Sequence, residues 1–302
     1  MVTGYLHPQY AESLSEFGTL RELPRCGGWV LQRQIPRDHG CDAMGCYPLF
    51  VCRDWSQLHA DLEEIGDELV SLALVADPFG DYDAAYLQRC FKDVVIPFKK
   101  HYIVDLQRPL NEIGGKRHRK HARRALRTVQ VKACEEPTQF VETWLRLYTL
   151  LVERHNIEGI RAFSKTAFAK QLSIPGTVAL QAVHEGTIVG AQLYFTQGDV
   201  VHCHLGASSQ VGYEVGATYA LDWYSIEYFA HKARWLDLGG GAGIASNGMD
   251  GLSQYKRGWS TDTRTTYFCG RVFDRERYEE ITKAKGIGVT HYFPAYREGE
   301  FA

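Results

Sequence analysis

Apolar and polar positions follow two different periods along this chain, and each change of period marks a new element. The clearest strand pattern lies in residues 177–208, where TVALQAVHEG, TIVGAQLYFTQGD and VVHCHLGASS form three apolar, β-branched runs. The pairs Glu185-Gly186 and Gly198-Asp199 separate these runs, and glycine-containing pairs of this kind favour tight turns. The pattern predicts an antiparallel meander of three strands.

Helical periodicity flanks this meander. Apolar residues recur at 3.6-residue spacing in 140–151 and again in 217–228, as expected of helices that bury one face. Asp54, Ser164 and Asp274 stand just before stretches of helical character, where their side chains can accept hydrogen bonds from the first turn. We therefore expect a helix after each of these three residues, and helices across both periodic stretches.

The first third of the chain alternates strand-like and helix-like stretches. CYPLFVC (46–52) and LVSLALVADPF (69–79) are predicted strands on either side of the helix opened by Asp54. The β-branched residues of VVIPFKKHYIVDL (94–106) also favour a strand, and Pro97 indicates that it is an edge strand or is interrupted. Together with the later elements, this order predicts an α/β protein with mixed, mostly antiparallel sheets flanked by helices.

Composition narrows the class of protein. A chain of 302 residues that is 45% hydrophobic and 12% aromatic can bury the cores of two domains, which excludes disorder, collagen and coiled coil as descriptions of the whole. Its apolar runs fall short of the roughly 18 residues that a membrane helix needs, and its N-terminus lacks a signal-peptide pattern. We expect a soluble, cytoplasmic protein without membrane insertion. The eight cysteines lack paired short spacings, so we expect reduced thiols and no structural zinc.

The formal net charge of −2 conceals one strongly basic segment. Residues 116–127, KRHRKHARRALR, contain seven of the 34 Lys and Arg residues and no acid, and we call this segment the basic helix. One broad side of it is predicted to carry Lys116, Arg119, Lys120, Arg123 and Arg127. Three interpretations stay open: a surface for an RNA backbone, a grip on the phosphates of coenzyme A or a nucleotide-linked acceptor, and a solvated face neutralised by the acidic remainder.

The segment GASSQVGYEVGAT (206–218) lies between the third meander strand and a predicted helix N-terminus. Backbone N–H groups and the helix dipole attract phosphate at such a position, and Gly212 and Gly216 would let the backbone approach an anion. The alternative is that the two glycines only turn the chain. The element order of residues 129–273 is that of a Gcn5-related acyltransferase domain, in which this loop cradles a pyrophosphate. That likeness implies donor contacts from Gln210, Gly212, Gly216, Ala217 and Thr218.

Four further pieces of sequence resemble the Fem-type transferases, in which two Gcn5-like domains share one chain and an aminoacyl group passes from a transfer RNA to an amine. They are the basic helix followed by VQV, VGYEVGATYALDWYSIEYFA, WLDLGGG and DGLSQYKRGWS (250–260). The resemblance implies two tandem modules, residues 1–128 ending in the basic helix and residues 129–302. It also implies that the final helix and tail pack back on the first module.

By the same resemblance, the pair Tyr255-Lys256 matches a Phe/Tyr-Lys pair whose lysine holds the donor's anion or stabilises the charge on the attacked carbonyl. A fixed ammonium aimed at such an oxyanion contributes on the order of 10²–10³ in rate. The alternative is a solvated surface lysine beside Arg257.

An attacking amine must be neutral, so a carboxylate or histidine near the acceptor could serve as general base. Asp237 at the end of RWLDL and His204 at the end of the third meander strand are candidates, although a cap and a core histidine are the structural alternatives. His202 and His204 share one strand face, but no third ligand is suitably spaced, so no metal is expected.

The sequence thus predicts an N-acyltransferase that moves an acyl or aminoacyl group by direct attack of an amine. The donor would be acyl-CoA or aminoacyl-tRNA, and the acceptor a cell-wall precursor, an amino sugar or a biosynthetic intermediate. The competing prediction is a catalytically inactive acyltransferase-fold module that binds RNA or an anionic polymer.

Overall fold

The computed structural model describes residues 2–243 and 248–300. Its strands, in chain order, are β1 (Thr19–Leu23), β2 (Gly28–Gln34), β3 (Cys41–Gly45), β4 (Ser71–Ala76), β5 (Val94–Asp105), β6 (Val129–Ala133), β7 (Thr177–His184), β8 (Thr187–Gln197), β9 (Val200–Ser208), β10 (Trp235–Asp237) and β11 (Asp262–Val272). Its α-helices are α1 (Pro8–Glu12), α2 (Leu58–Ile65), α3 (Ala84–Cys90), α4 (Lys116–Ala125), α5 (Val141–His155), α6 (Lys165–Leu172), α7 (Gln210–Val215), α8 (Ala217–Phe229), α9 (Gly251–Arg257) and α10 (Arg275–Ala284).

The chain forms two compact units. One, which we call the inserted unit, comprises Lys100–Arg264 with the chain up to Gly4. The other, the split unit, comprises Tyr5–Lys99 with the chain from Thr265 onward. This division places the basic helix with the meander, whereas the sequence-based boundary at residue 128 assigns it to the first module. The chain from Thr265 onward belongs with residues 5–99.

The inserted unit contains the strand order β5-β10-β9-β8-β7-β6. All neighbouring pairs are antiparallel except β9 and β10, which run parallel. Strands β7, β8 and β9 form the predicted meander, and Glu185 and Gly186 both have positive φ in its first turn. A core of Leu180, Tyr194, Leu236 and other apolar side chains lies between these strands and α4 and α8. Burial of this apolar surface is the main stabilising contribution to the unit.

The split unit contains the order β1-β2-β3-β4-β11, in which β3 and β4 are parallel and the other pairs antiparallel. Its main core includes Leu72 and Phe50, and a smaller cluster joins Ile35 and Val70 to Tyr296. Both units are therefore α/β, with mixed, mostly antiparallel sheets and flanking helices, which confirms the predicted fold class.

Local sequence accounts for many helix starts. The side chains of Asp54, Ser164 and Asp274 accept hydrogen bonds from backbone N–H groups two or three residues later, so all three predicted caps are confirmed. Helix α4 begins after Gly115 and covers most of the predicted basic helix.

One strand prediction for the first third is wrong, and another is confirmed without the interruption at Pro97. No strand forms over the predicted range 46–52. The strand in this region is β3, at Cys41–Gly45, and within 46–52 only Phe50 forms an isolated bridge, to Ala76. The strand predicted over 94–106 is confirmed as β5, which runs through Pro97 without interruption and pairs with β10 through residues 103–105. Pro97 lies outside that pairing, so its missing N–H costs no bond there.

Candidate active site

Helix α9 carries the predicted Tyr255-Lys256 pair. Hydrogen bonds hold both the first turn of this helix and the side chain of Lys256 in place. Its first turn is capped by Asp250, which accepts from Ser253 N at 2.9 Å. The Nζ of Lys256 donates to the carbonyl oxygen of Gly240 at 2.7 Å. A Cβ on Gly239 would lie 3.2 Å from the same Nζ. Lys256 therefore lies against the glycine turn that follows β10, on a half-buried part of the surface rather than extended into solvent.

Burial is the largest influence on Lys256, and it lowers the pKa of the ammonium. Negative charge from Asp237, Asp222 and Asp250 acts in the opposite direction and limits this shift. A lysine enclosed in this way keeps a fixed position, and its charge acts in a less screened environment than at the surface.

A buried chain of hydrogen bonds extends from Tyr255 into the core. The hydroxyl of Tyr255 donates to Asp222 Oδ2 at 2.5 Å, and Gln192 Nε2 donates to Oδ1 at 2.6 Å. Tyr194 in turn donates to Gln192 Oε1 at 2.6 Å. Burial raises the pKa of Asp222 and also raises the pKa of Tyr255. Tyr255 is thus tied to α8 and β8, a geometry that orients α9.

Asp237, at the end of β10, accepts three hydrogen bonds. His101 Nδ1 lies 2.8 Å from Oδ2, His202 Nδ1 lies 3.1 Å from the same oxygen, and Gly239 N donates to Oδ1 at 2.7 Å. Burial alone would raise the pKa of Asp237, but the two histidines and their hydrogen bonds hold it well below its usual range. Asp237 is an anion at neutral pH, and its proposed role as the base itself conflicts with so low a pKa.

His204 occupies a different environment. It is 8% exposed, its Nε2 lies 3.2 Å from Gln171 Oε1, and its ring contacts Phe163 and Phe195. Burial lowers the pKa of His204 to about 3, and the neighbouring His202 adds to this effect. These described contacts are those of a neutral core histidine.

The predicted donor loop contains a short helix that the sequence did not indicate. Helix α7 begins at Gln210, and Gly216 separates it from α8 with a φ of 75°. A Cβ on Gly212 would lie 2.2 Å from the carbonyl oxygen of Val189, so close packing on β8 requires this glycine. The exposed Gln210 donates to Glu214 at 3.0 Å. Packing therefore requires glycine at 212 and backbone conformation favours glycine at 216, independently of any contact with an anion.

Helix α8 starts directly after this loop. Ala217 is its first residue and is buried, and the hydroxyl oxygens of Thr218 and Ser208 are 3.4 Å apart. The predicted donor residues 216–218 thus lie at the N-terminus of a 13-residue helix, where anions are favoured.

The basic helix presents a wide charged surface. Its exposed basic residues are Lys116, Arg117, Lys120, Arg123, Arg124 and Arg127. Within the described residues, none of these six forms an ion pair with an acidic side chain. Of the five residues predicted for the charged side, only Arg119 is not exposed. It is half-buried and donates to the carbonyl oxygens of Ile113 and Gly114. The guanidinium of Arg119 is therefore hydrogen-bonded to the turn that precedes the helix.

Helix α4 connects the other two parts of the site. Near its N-terminus, the His118 ring packs on Tyr255 and its Nε2 lies 3.0 Å from the Tyr255 carbonyl oxygen. Further along, α4 packs on α8, and a Cβ on Gly216 would lie 3.5 Å from Ala125 Cβ. The structure thus brings the lysine helix, the basic helix and the start of α8 together in the inserted unit, while His204 packs against Gln171 of α6.

Sequence reasoning missed His101, Asp222, Gln192 and His118. The signal for Gln192 and Asp222 was available, since each is a polar residue inside an apolar stretch, and such residues are buried only with partners. His101 and His118 have no comparable signal, because their partners are distant in sequence.

Among residues 2–243 and 248–300, no group of three or more His, Cys, Asp or Glu side chains has the geometry to hold a metal ion. In the His101–Asp237–His202 cluster, both Nδ1 atoms lie within hydrogen-bond distance of the carboxylate. In the same part of the chain, no helix combines the length and apolarity needed to cross a membrane.

No protein-family profile and no curated protein matches this sequence. Solved structures do. FemX is 15% identical with a TM-score of 0.69, over 90% of this chain and 93% of that one. The C-terminal domain (DUF2156) of a putative lysylphosphatidylglycerol synthetase from Agrobacterium fabrum is 12% identical with a TM-score of 0.62, over 87% of each chain. L-PGS from Bacillus licheniformis is 15% identical with a TM-score of 0.56, over 90% of this chain and 94% of that one. These likenesses show that the chain shares the fold of FemX and of the two synthetase structures, which confirms the fold expected from the resemblance to the Fem-type transferases.

Proposed function

We propose that this protein is an N-acyltransferase that moves an acyl or aminoacyl group to an amine by direct attack. The single observation that carries this proposal is the position of Lys256. Its ammonium is held by Gly240 at 2.7 Å, on a helix tied to α8 through Tyr255 and Asp222. The Fem-type fold supplies the reaction class as an analogy, and the lysine supplies a chemical reason at a named atom.

Attack by an amine on a thioester or ester carbonyl forms a tetrahedral oxyanion. An ammonium fixed before the reaction stabilises that charge without reorganising, and a half-buried site makes the interaction stronger than in water. Lys256 has three N–H donors, one of which is directed to Gly240. We propose that another is directed to the carbonyl oxygen of the donor, while Tyr255 orients α9.

Two donors are compatible with the surroundings of Lys256. An acyl-CoA would place its pyrophosphate at residues 216–218, at the start of α8. An aminoacyl-tRNA would place backbone phosphates along the exposed Lys116, Lys120, Arg123 and Arg127 of the basic helix. The acceptor is an amine on a cell-wall precursor, an amino sugar or a biosynthetic intermediate.

The first experiment tests transfer itself. Purified protein is incubated with acetyl-CoA or with a pool of aminoacyl-tRNA, together with lysine, glucosamine and ethanolamine, and amide products are measured by mass spectrometry. We expect Lys256→Ala to keep its fold and to lose about 10²–10³ in kcat/KM, because one oxyanion donor is removed.

The matched control is Lys132→Ala, which removes an exposed lysine from β6 in the same unit. It should transfer at the wild-type rate. An unchanged kcat/KM in Lys256→Ala would remove this lysine from the mechanism.

A second candidate function rests on the six exposed basic residues of the basic helix. In that case the protein binds RNA or an anionic polymer without catalysing transfer. Coenzyme A and uncharged tRNA are titrated separately at two salt concentrations, with thermal unfolding as a second readout of binding. Binding of tRNA that weakens steeply with salt, without any transfer, would favour the binding module.

A further inference from the structure

The glycine turn beside Lys256 also holds a histidine that is fixed by a buried carboxylate. Nδ1 of His101 lies 2.8 Å from Oδ2 of Asp237, and Asp237 is 2% exposed. A carboxylate only accepts hydrogen bonds, so Nδ1 of His101 carries a proton. In the neutral ring the basic lone pair is then on Nε2.

The two histidines that contact Asp237 differ in their access to solvent. The side chain of His101 is 11% exposed, whereas that of His202 is 2% exposed. Of these two rings, His101 is the one placed to exchange a proton with a bound molecule.

His101 and Lys256 meet at the same turn. Gly239 N donates to Asp237 at 2.7 Å, and Gly240 O accepts from Lys256 at 2.7 Å. Two residues lie between Asp237 and Gly240, so the Cα atoms of this pair are at most about 11 Å apart. Gly239 thus lies between the two groups: its N–H donates to the carboxylate that holds His101, and a Cβ built on it would lie 3.2 Å from Lys256 Nζ.

We propose that His101 is the general base of this acyl transfer and that Asp237 is the residue that positions its ring. The inference rests on the proposed function, because the base needs an amine nucleophile. An alkyl ammonium gives one proton to Nε2, and the imidazolium passes it to water. The nitrogen lone pair then forms the C–N bond with the donor carbonyl, the carbon's bond to the donor sulfur or oxygen breaks, and the surplus amine proton leaves with that atom.

Charged neighbours surround the ring on several elements. Asp237 on β10 contacts it directly, and His202 on β9 shares the same carboxylate. The positive charge of Lys256 on α9 also acts on Asp237. These contacts hold the pKa of Asp237 well below its usual range, so the carboxylate stays ionised beside the ring.

The test compares two acceptors that differ in their need for a base. Alkylamines arrive largely protonated at neutral pH, whereas hydroxylamine arrives largely neutral and needs no proton removed before attack. With whichever of acetyl-CoA or aminoacyl-tRNA wild-type protein uses, His101→Gln should lose about 10²-fold or more toward the alkylamine. Its rate with hydroxylamine should change much less. Asp237→Asn, which keeps the size of the side chain, should show the same selective loss.

His202→Gln is the matched control, because it removes the other histidine from Asp237; any loss it causes should fall equally on both acceptors. Circular dichroism checks the fold, and His101→Asn replaces His101→Gln if the latter does not fold. Equal losses on both acceptors in the His101 variant, or no loss, would overturn this inference and leave the acyltransferase proposal standing. Failure of the wild-type protein to transfer from either donor to any amine or to hydroxylamine would overturn both.

Discussion

At the scale of single residues, surroundings decide the chemistry more than residue type does. Asp237 and His204 were equal candidates for the base on sequence spacing. The structure gives Asp237 three hydrogen-bond donors and gives His204 a core of Phe163, Phe195 and Gln171. No spacing rule carries this information, because His101 and Asp237 are 136 positions apart.

The low pKa of His204 makes stability depend on pH. The unfolded state binds a proton near the ordinary pKa of about 6.5, while the folded state stays neutral down to about 3. The contribution of His204 to the free energy of unfolding is therefore fully present above about pH 6.5. It is lost as the pH drops toward 3, and the loss is about 2 kcal/mol at pH 5. Urea unfolding at pH 7.5 and pH 5 should show this loss in wild-type protein and a smaller one in His204→Gln.

The exposed His231 provides the control, since His231→Gln should keep the wild-type dependence on pH. If the free energy of unfolding fell equally between pH 7.5 and pH 5 in His204→Gln and in wild type, His204 would take up a proton equally in the folded and unfolded states.

At the scale of elements, periodic and capped segments were predictable and close contacts were not. The meander, the capped helices and the basic helix follow from local patterns. The hairpin of β1 and β2 and the helix α7 were missed, since their sequences carry weak periodicity. The docking of α9 on α4 depends on Gly258, beside which the His118 ring packs, and one glycine gives no hint of that partner.

Gly258→Ala tests this docking. A Cβ at Gly258 would lie 2.0 Å from the His118 ring, so the ring or the helix must shift. We expect a loss of about 1–3 kcal/mol in the free energy of unfolding, typical of overpacking. Gly251→Ala, in the same helix, meets no atom within 4 Å and should be neutral or slightly stabilising. Equal unfolding midpoints for the two variants would contradict the packing described for His118.

At the scale of the whole molecule, the chain from Thr265 onward belongs to the split unit, and no local pattern in the sequence marks where one unit interrupts the other. The tail is anchored in the split unit by side-chain contacts with residues far away in the sequence. Tyr296 and Ser71 hydroxyl oxygens are 2.7 Å apart, and Arg297 Nε lies 2.6 Å from Asp42 Oδ2. Only the fold reveals these pairs, because their members are more than 200 residues apart.

Arg297→Ala should destabilise the split unit. It removes the main partner of Asp42, which is 1% exposed, and a buried charge without its partner costs about 3 kcal/mol. Arg33 lies 3.5 Å from the same carboxylate and would remain as a partner for Asp42, so we expect no larger loss than this. Urea unfolding measures the change.

Arg275→Ala is the control, because Arg275 is 64% exposed in its pair with Asp93 and such pairs contribute about 0–1 kcal/mol. An equal, small effect of both substitutions would contradict a structural role for the tail.

The division of the chain also fixes an order of events during translation. Strand β4 has no β11 to pair with until some 190 further residues have been synthesised, because Ala76 at the end of β4 pairs with Tyr267. The inserted unit leaves the ribosome complete during that interval and can fold first. Until then, the nascent split unit has an unpaired strand edge and an unfinished core, so chaperones have their best opportunity to bind it before synthesis ends.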